Sequence, residues 1–406
     1  MLSALFPALA QRDIRIYLSG QALSVIGLWT QTITLNLIVY ELTKSAVLLG
    51  ATNFLLHGPM LFVAPMAGKH IGPHNARHVA SLVMLAAAAS ATAVGVLTVT
   101  GNVNSAVLLS FAAACGILSA IEMPARQVLL TSCVKDGSSL ANAVAMNTLC
   151  FNLGRTIGPA IAAFLFLHTE PGVGFFVYTA SLLVMTRCIA MIDSVADAPA
   201  SGPRASFRDA LRHVFSNSFT ALFLLVIALL GVFASSYQTL IPVLADKVFG
   251  DTATVTGTLF TFAGTGSLTA AIALSSKYSR NVTAALLALS PWLSVISLAT
   301  LSLTSSIALA AGALYILGFT LTLVSATTNS TMQRTSPPHL RGAIAGLYGM
   351  AFLGTLPLGH LLMGGLASQF SVRAAFFTSA LVLTASLAIL YLRKWNADRT
   401  IARLAL

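Results

Sequence analysis

The sequence predicts an all-α integral membrane protein with twelve transmembrane helices in two pseudo-symmetric six-helix bundles. Three observations carry this expectation. Charged residues are only 8% of the 406 and hydrophobic residues 57%, with a mean hydropathy of +0.87, whereas a soluble domain is about 25% charged. A twelve-span layout puts eighteen of the 22 Lys and Arg residues on one face and only Lys44, Lys247 and Arg373 on the other, with Arg155 left inside; short loops rich in Lys and Arg stay cytoplasmic, so the asymmetry supports both the span count and the orientation. Finally, "LANAVAMNTLCFNLGR" at 140–155 lies over "LRGAIAGLYGMAFLGT" at 340–355 without a gap, with Leu140/Leu340, Ala143/Ala343, Leu153/Leu353 and Gly154/Gly354 identical.

Uncharged runs bounded by charge or by Pro, Gly and Asn place spans at 14–40, 46–68, 78–100, 105–129, 139–167, 173–192, 219–245, 253–276, 282–303, 306–332, 342–368 and 374–392, each near the roughly 20 residues a bilayer requires. Residues 1–10, "MLSALFPALA", end like a signal-peptide cleavage site but lack a basic start, so a short interfacial helix is expected. A second alignment sets "TQTI" (30–33) over "YQTL" (237–240), pairing Gln31 with Gln238 and Thr32 with Thr239, and brings Gly50 onto Gly257. Span 5 thus repeats as span 11 and span 1 as span 7, the parallel duplication of transporters that rock about a midplane site. The expected domains are 1–192, a cytoplasmic linker at 193–217 and 218–406. Within the linker, small and Pro-containing residues 193–206 precede "FRDALRHVF", where Phe207, Leu211, Val214 and Phe215 share one helical face, as an interfacial helix requires.

The net charge of +11 is therefore topological, and no basic surface calls for nucleic acid. Cys115, Cys133, Cys150 and Cys188 lack CxxC spacing and are expected as buried free thiols. His70, His74 and His78 recur every fourth residue, but Gly72-Pro73 interrupts any helix there, so no metal site is expected; neither is a cofactor.

Several motifs resemble the major facilitator superfamily, and within it the drug-efflux branch that contains the bacterial enterobactin exporter. The first span is similar in Gly20-Gln21, the Gly27-x-Trp29-x-Gln31 cluster and Tyr40-x-Leu42-Thr43-x-Ser45. Spans 4 and 5 are similar in Pro124-Ala125-Arg126-Gln127, Asn142, Asn147, Arg155, Gly158 and Pro159. The turn into span 11 keeps Gln333, Pro337, Arg341, Gly342, Tyr348 and Gly354. The resemblance implies the major facilitator fold, a cavity lined by span 5, and gating through Gly158, Pro159, Arg77, Arg126 and Arg341. One departure stands out: in "GKHIGPHNAR" Gly72 and Pro73 occupy the positions of the family's Asp and Arg, leaving its cytoplasmic charge latch in doubt.

Arg155 is the residue that most needs explaining, since a charge at the bilayer centre costs about 3 kcal/mol or more. It either binds an anionic part of a substrate, pairs with a titrating carboxylate, or bonds the carbonyls freed by Pro159. Of the eleven acidic residues only Glu122 falls inside a span. Arg126 lies one turn away, so an ion pair is favoured over a proton carrier. His57 and His360, at membrane depth, are the other proton-coupling candidates. Trp29, Gln31, Tyr237, Gln238, Asn147, Asn152 and Tyr348, with Asn36 and Asn53, supply aromatic and amide groups suited to bulky amphipathic solutes.

These features predict a proton-coupled secondary exporter of a hydrophobic or amphipathic small molecule, a drug or siderophore. It is expected to act as a monomer in a bacterial inner membrane, with both termini cytoplasmic. No G-x-x-x-x-G-K-[ST] loop marks an ATP motor, and no HExxH, G-x-S-x-G or Ser/His/Asp set marks an enzyme. The alternatives are a lipid flippase or nutrient importer on the same fold, then a membrane-embedded enzyme, then a non-transporting sensor.

Overall fold

A computed structural model describes residues 10–134, 137–192, 207–275, 279–337 and 340–404. The expected leader helix and the stretch 193–206 lie outside these. Every described element is helical. The first half consists of α1 (Arg12–Thr43), α2 (Ala46–His70, broken at Gly58 before Pro59), α3 (Ala76–Val99), α4 (Ser105–Ser132), α5 (Gly137–His168) and α6 (Val173–Ala190). After α7 (Phe207–Ser216) come α8 (Thr220–Phe249), α9 (Thr252–Ser275), α10 (Ser279–Leu303), α11 (Ile307–Arg334), α12 (Ala343–Gln369) and α13 (Val372–Leu404). Among the described residues eleven helices are long and apolar enough to span, and within α10 the stretch Leu289–Leu303 is a shorter apolar helix. The face where α1 begins is called here the entry face, and its opposite the far face.

Packing follows the repeat. In the first half α1 lies against α5 and α6; between the halves α5 packs on α9, and α2 on α12. Spans 5 and 11, aligned in sequence, therefore occupy equivalent seams. Both seams are closed through glycine. A Cβ on Gly264 of α9 would stand 2.5 Å from the Arg155 carbonyl oxygen and 2.6 Å from the Thr156 Cα, and one on Gly257 would collide with Ala163. In the other seam, a Cβ on Gly50 would lie 2.6 Å from the His360 carbonyl, and one on Gly364 2.6 Å from that of Ala46. In a bilayer no hydrophobic force brings helices together, and small residues permit the close packing that does. Gly50 and Gly257, paired in the sequence alignment, thus do the same work in the two seams.

The amphipathic α7 differs in part from expectation. Ala210 and Val214 are buried against Leu224, Met332, Leu340, Ile344 and Leu347, while Leu211 and Phe215 stay exposed. The helix is docked on the second half by a narrower stripe than the pattern suggested, and its outer apolar residues are left for lipid. The three histidines at four-residue spacing also separate: His70 ends α2, His74 lies in the turn, and His78 is on α3. The four cysteines are unbonded, three of them buried.

Replacing Gly264 by valine should force α5 and α9 apart and destabilise the protein by about 1–3 kcal/mol, whereas Gly312→Ala, on an open face of α11 with nothing near its Cβ position, should be neutral or slightly stabilising. Unfolding of the two purified variants compared with the parent chain checks this pair.

Candidate functional site

A cavity of about 360 Å³ runs along the inner side of the first half. Its wall begins near the entry face with Tyr17, Gln21, Glu122, Arg126 and Gln127 and rises past Asn147, Phe151 and His57 to Trp29, Gln31 and Thr32. The second half adds only Gln238 and Leu353. Above Gln31 and Gln238 the way is blocked: α1 from Ile33 to Tyr40 and α8 from Tyr237 to Leu244 are continuously buried. Two polar atoms among the lining side chains are buried without a partner, the Gln31 Nε2 donor and the Asn147 Oδ1 acceptor. Buried polar atoms are normally satisfied, so this donor and acceptor are available to a ligand.

Near the entry face, Arg126 organises the wall. Its Nε lies 2.7 Å from Glu122 Oε1, both side chains being about 10% exposed. Its other nitrogens donate to Gln21 Oε1 at 3.1 Å and Ser24 Oγ at 2.6 Å, and the Tyr17 hydroxyl donates to its carbonyl at 3.0 Å. The Glu122–Arg126 ion pair is the arrangement favoured from sequence. Breaking a buried pair strands a charge at a cost of about 3–5 kcal/mol, so Arg126 clamps α4 to α1 within one half.

Arg155 sits elsewhere. Its guanidinium donates to the Tyr237 hydroxyl of α8 at 2.8 Å and lies 5.7 Å from the Trp29 ring centroid, an attractive cation–π arrangement. Among the described residues no carboxylate is within ion-pair reach of it. The carbonyl that Pro159 frees is its own, and Gly264 covers it from α9. Arg155 therefore lies over the Trp29 ring, at the junction of α1, α5 and α8, and is not among the residues lining the cavity.

Of the remaining expected binding residues, Gln31, Gln238, Trp29 and Asn147 line the cavity, and Tyr237 is buried beside it as the acceptor of Arg155. Asn152 and Tyr348 are outside the wall. The Asn152 amide donates to the Thr148 carbonyl one turn below, and Tyr348 packs with Phe352. Asn36 and Asn53 bind each other through paired amide bonds of 3.1 and 3.4 Å, joining α1 to α2. Gly158 meets Trp29 and accepts from Thr30, which seats α5 on α1. Arg77 donates to the Ile192 carbonyl and Arg341 to that of Ser336, so these two arginines, like Arg126, are tied within their own halves.

A latch between the halves exists at the far face, where the sequence reading placed none. The Tyr40 hydroxyl donates to Asp246 Oδ2 at 3.0 Å, and Lys44 Nζ lies 3.5 Å from Asp246 Oδ1. Lys44 also binds Glu41, which keeps its ammonium charged to higher pH than an ordinary lysine. It has the one positive φ, 47°, of any described residue other than glycine, a conformation tolerated where surrounding contacts enforce it. Asp246 sits in a π-helical turn, 245–249, a feature frequent at functional sites. The signal was present: the offset that pairs Gln31 with Gln238 sets Val39 and Tyr40 over Asp246 and Lys247, marking both as the far ends of equivalent helices.

A two-bundle helical membrane protein with a central cavity has the architecture of the major facilitator fold. The chain belongs to the transmembrane secretion effector family, which it matches over residues 3–404, in the drug-efflux branch of the major facilitator superfamily. It is similar to the staphyloferrin A transporter of Staphylococcus aureus, 26% identical over 64% of this chain, and so spans just under two thirds (66%) of that relative's length. It is also similar to the multidrug efflux pump Tap of Mycolicibacterium fortuitum, 28% identical over 80% of this chain and 81% of that one. The fold is shared with a point variant of the nucleoside transporter NupG (TM-score 0.73, 12% identity, 93% and 98% of the two chains). It is shared too with an inward-facing, occupied bacterial homologue of the lysosomal transporter Spinster (0.70, 14%, 93% and 95%).

Tyr40→Phe should loosen the far-face latch more than Lys44→Ala, because a buried hydrogen bond to a carboxylate is worth about 1.5–3 kcal/mol and a half-exposed ion pair under about 1. With Gln31→Cys as reporter, far-side labelling by a membrane-impermeant maleimide should rise about tenfold or more in the Tyr40 variant.

Proposed function

We propose that the protein is a secondary exporter of an amphipathic small molecule carrying an anionic group, a drug or siderophore. On this reading it works as a monomer by alternating access in a bacterial inner membrane, with the entry face cytoplasmic and protons as the driving ion. The observation that carries the reading is the cavity: its volume suits a small molecule, and it offers aromatic and aliphatic walls together with the unpartnered Gln31 donor and Asn147 acceptor. Stacking on Trp29, Phe151 and Tyr178 tolerates varied shapes, as recognition of bulky solutes requires. The preference for an anion rests on Arg155, a cation with no carboxylate partner among the described residues, held over the ring of Trp29, which lines the cavity.

The cytoplasmic assignment of the entry face rests on the Lys and Arg distribution. The export direction and substrate class are supported by the two relatives, one a siderophore transporter and one a multidrug efflux pump by name. In inside-out vesicles with an imposed pH gradient, carboxyfluorescein should accumulate in preference to the cationic dye ethidium. Accumulation only in right-side-out vesicles would replace export with nutrient import. Arg155→Ala should abolish that accumulation while membrane abundance is retained; loss of abundance instead would mark Arg155 as a structural residue.

A further inference from the structure

His57 on α2 and His360 on α12 meet across the seam between the halves, their ring centroids 5.4 Å apart and tilted by 35°. His57 lines the cavity, while His360 is fully buried. The two rings are anchored differently. His57 Nδ1 lies 2.9 Å from the Asn53 carbonyl; a carbonyl only accepts, so Nδ1 carries the hydrogen and Nε2 is the basic nitrogen. His360 Nδ1 lies 2.9 Å from the Thr239 hydroxyl of α8, and its Nε2 is buried with no partner. His360 Nε2 is thus a buried nitrogen without a hydrogen-bond partner beside a second imidazole.

We propose that His57 and His360 form a single proton-binding site, in which one shared proton bridges α2 and α12 and holds the far-face half of that seam closed. In this arrangement His360 Nδ1–H donates to Thr239, so both Nε2 atoms present lone pairs. The proton reaches His57 while the far seam is open and forms an N–H bond at Nε2; as the seam closes the charged ring donates to His360 Nε2, and the N–H bond breaks when the proton passes from His57 into the cavity on the entry side. A second proton is opposed by the first, so the pair titrates as a unit.

The surroundings leave the pair electrostatically to itself. From α4 the titratable groups on the same wall are Cys115 and Glu122, the latter neutralised by Arg126. From α8 they are Tyr237, bonded to Arg155 of α5, and Asp246, held in the far-face latch. From α1, Tyr17 and Tyr40 are committed to the Arg126 carbonyl and to Asp246. From α13, Arg373 bonds Thr304 and Ser305, and Tyr391 packs beside Trp292. Thr239 is the repeat partner of Thr32, so the buried ring is braced by the same helix position that faces the cavity in the first half.

This inference rests on the transport reading and supplies its coupling step. A proton that closes the far seam favours return of the empty carrier toward the entry face, where His57 meets the cavity and can release it. Without the proton, a loaded carrier can open the far seam.

The test uses the full-length protein in nanodiscs with ¹⁵N-histidine, titrated between about pH 5 and 8, with resonances assigned by His57→Gln and His360→Gln. A shared proton predicts one coupled transition in the parent, lost in each variant. Two independent titrations, each unmoved by replacing the other ring, overturn the proposal. In proteoliposomes, His57→Gln and His360→Gln should each lose pH-driven carboxyfluorescein accumulation; accumulation retained in both variants also overturns the proposal. If the parent itself moves no dye, the export reading fails while the titration still decides the histidine pair. His57 is only partly buried, so its variant serves if the His360 one fails to fold.

Discussion

The two bundles meet where helix backbones touch. Gly264 against the Arg155 carbonyl and Gly50 against that of His360 bring α5 to α9 and α2 to α12 closer than any side chain would allow. Lipid is as apolar as leucine, so the halves gain little by burying hydrophobic surface against each other; short-range packing and a few polar contacts hold the seams. That is also why the seams can part. Once backbones move apart by a small distance, the dispersion that joins them is lost, and the polar contacts crossing the seams acquire leverage. Arg155 to Tyr237, Tyr40 to Asp246 and the facing rings of His57 and His360 are such contacts.

Charges inside the protein are divided by function according to what neutralises them. Glu122 and Arg126 cancel within α4 and bind α1, so they stiffen one bundle and cannot report on the other. Arg155 is stabilised by a ring face and a hydroxyl, neither of which removes its charge. The cavity is correspondingly lopsided: the first half supplies nearly all its wall, and the second contributes mainly Gln238. The polar groups of the second half are used for bracing, with Thr239 on His360 and Tyr237 on Arg155. Duplication placed equivalent residues at equivalent depths, but the two halves then used them differently.

The helices were legible because a bilayer leaves few choices: long uncharged runs must be helical and their ends must be polar. The 5–11 repeat was legible from its gap-free identities, Gly154 with Gly354 among them. Partnerships were less so. Asn36 and Asn53 read as cavity amides because polarity at membrane depth looks the same whether it faces a ligand or another amide; only their 3.1 Å contact separates the cases. Arg155 stands out in the sequence as a charge at membrane depth, yet no sequence rule distinguishes a guanidinium on a cavity wall from one stacked on a tryptophan ring. Asp246 was set aside as a span end, since its partner Tyr40 is 206 residues away.

The two faces of the molecule are latched by different means. In the loop between α2 and α3, Gly72 and Pro73 replace the family's charged pair, and Asn75 now organises that turn by accepting from the Gly72 amide and donating to the His70 carbonyl. The bonds described for Arg77, Arg126 and Arg341 stay within their own halves. At the far face, Tyr40 and Lys44 reach across to Asp246. Among the described residues the polar clasp between the halves at either face is that of Tyr40 and Lys44 on Asp246; on the transport reading, opening it draws on substrate binding, because a ligand shifts an equilibrium only by its differential affinity for the two states. Trp29 joins the cavity to the seam between the halves: it lines the cavity, and Arg155, bonded across to Tyr237 of α8, rests over its ring.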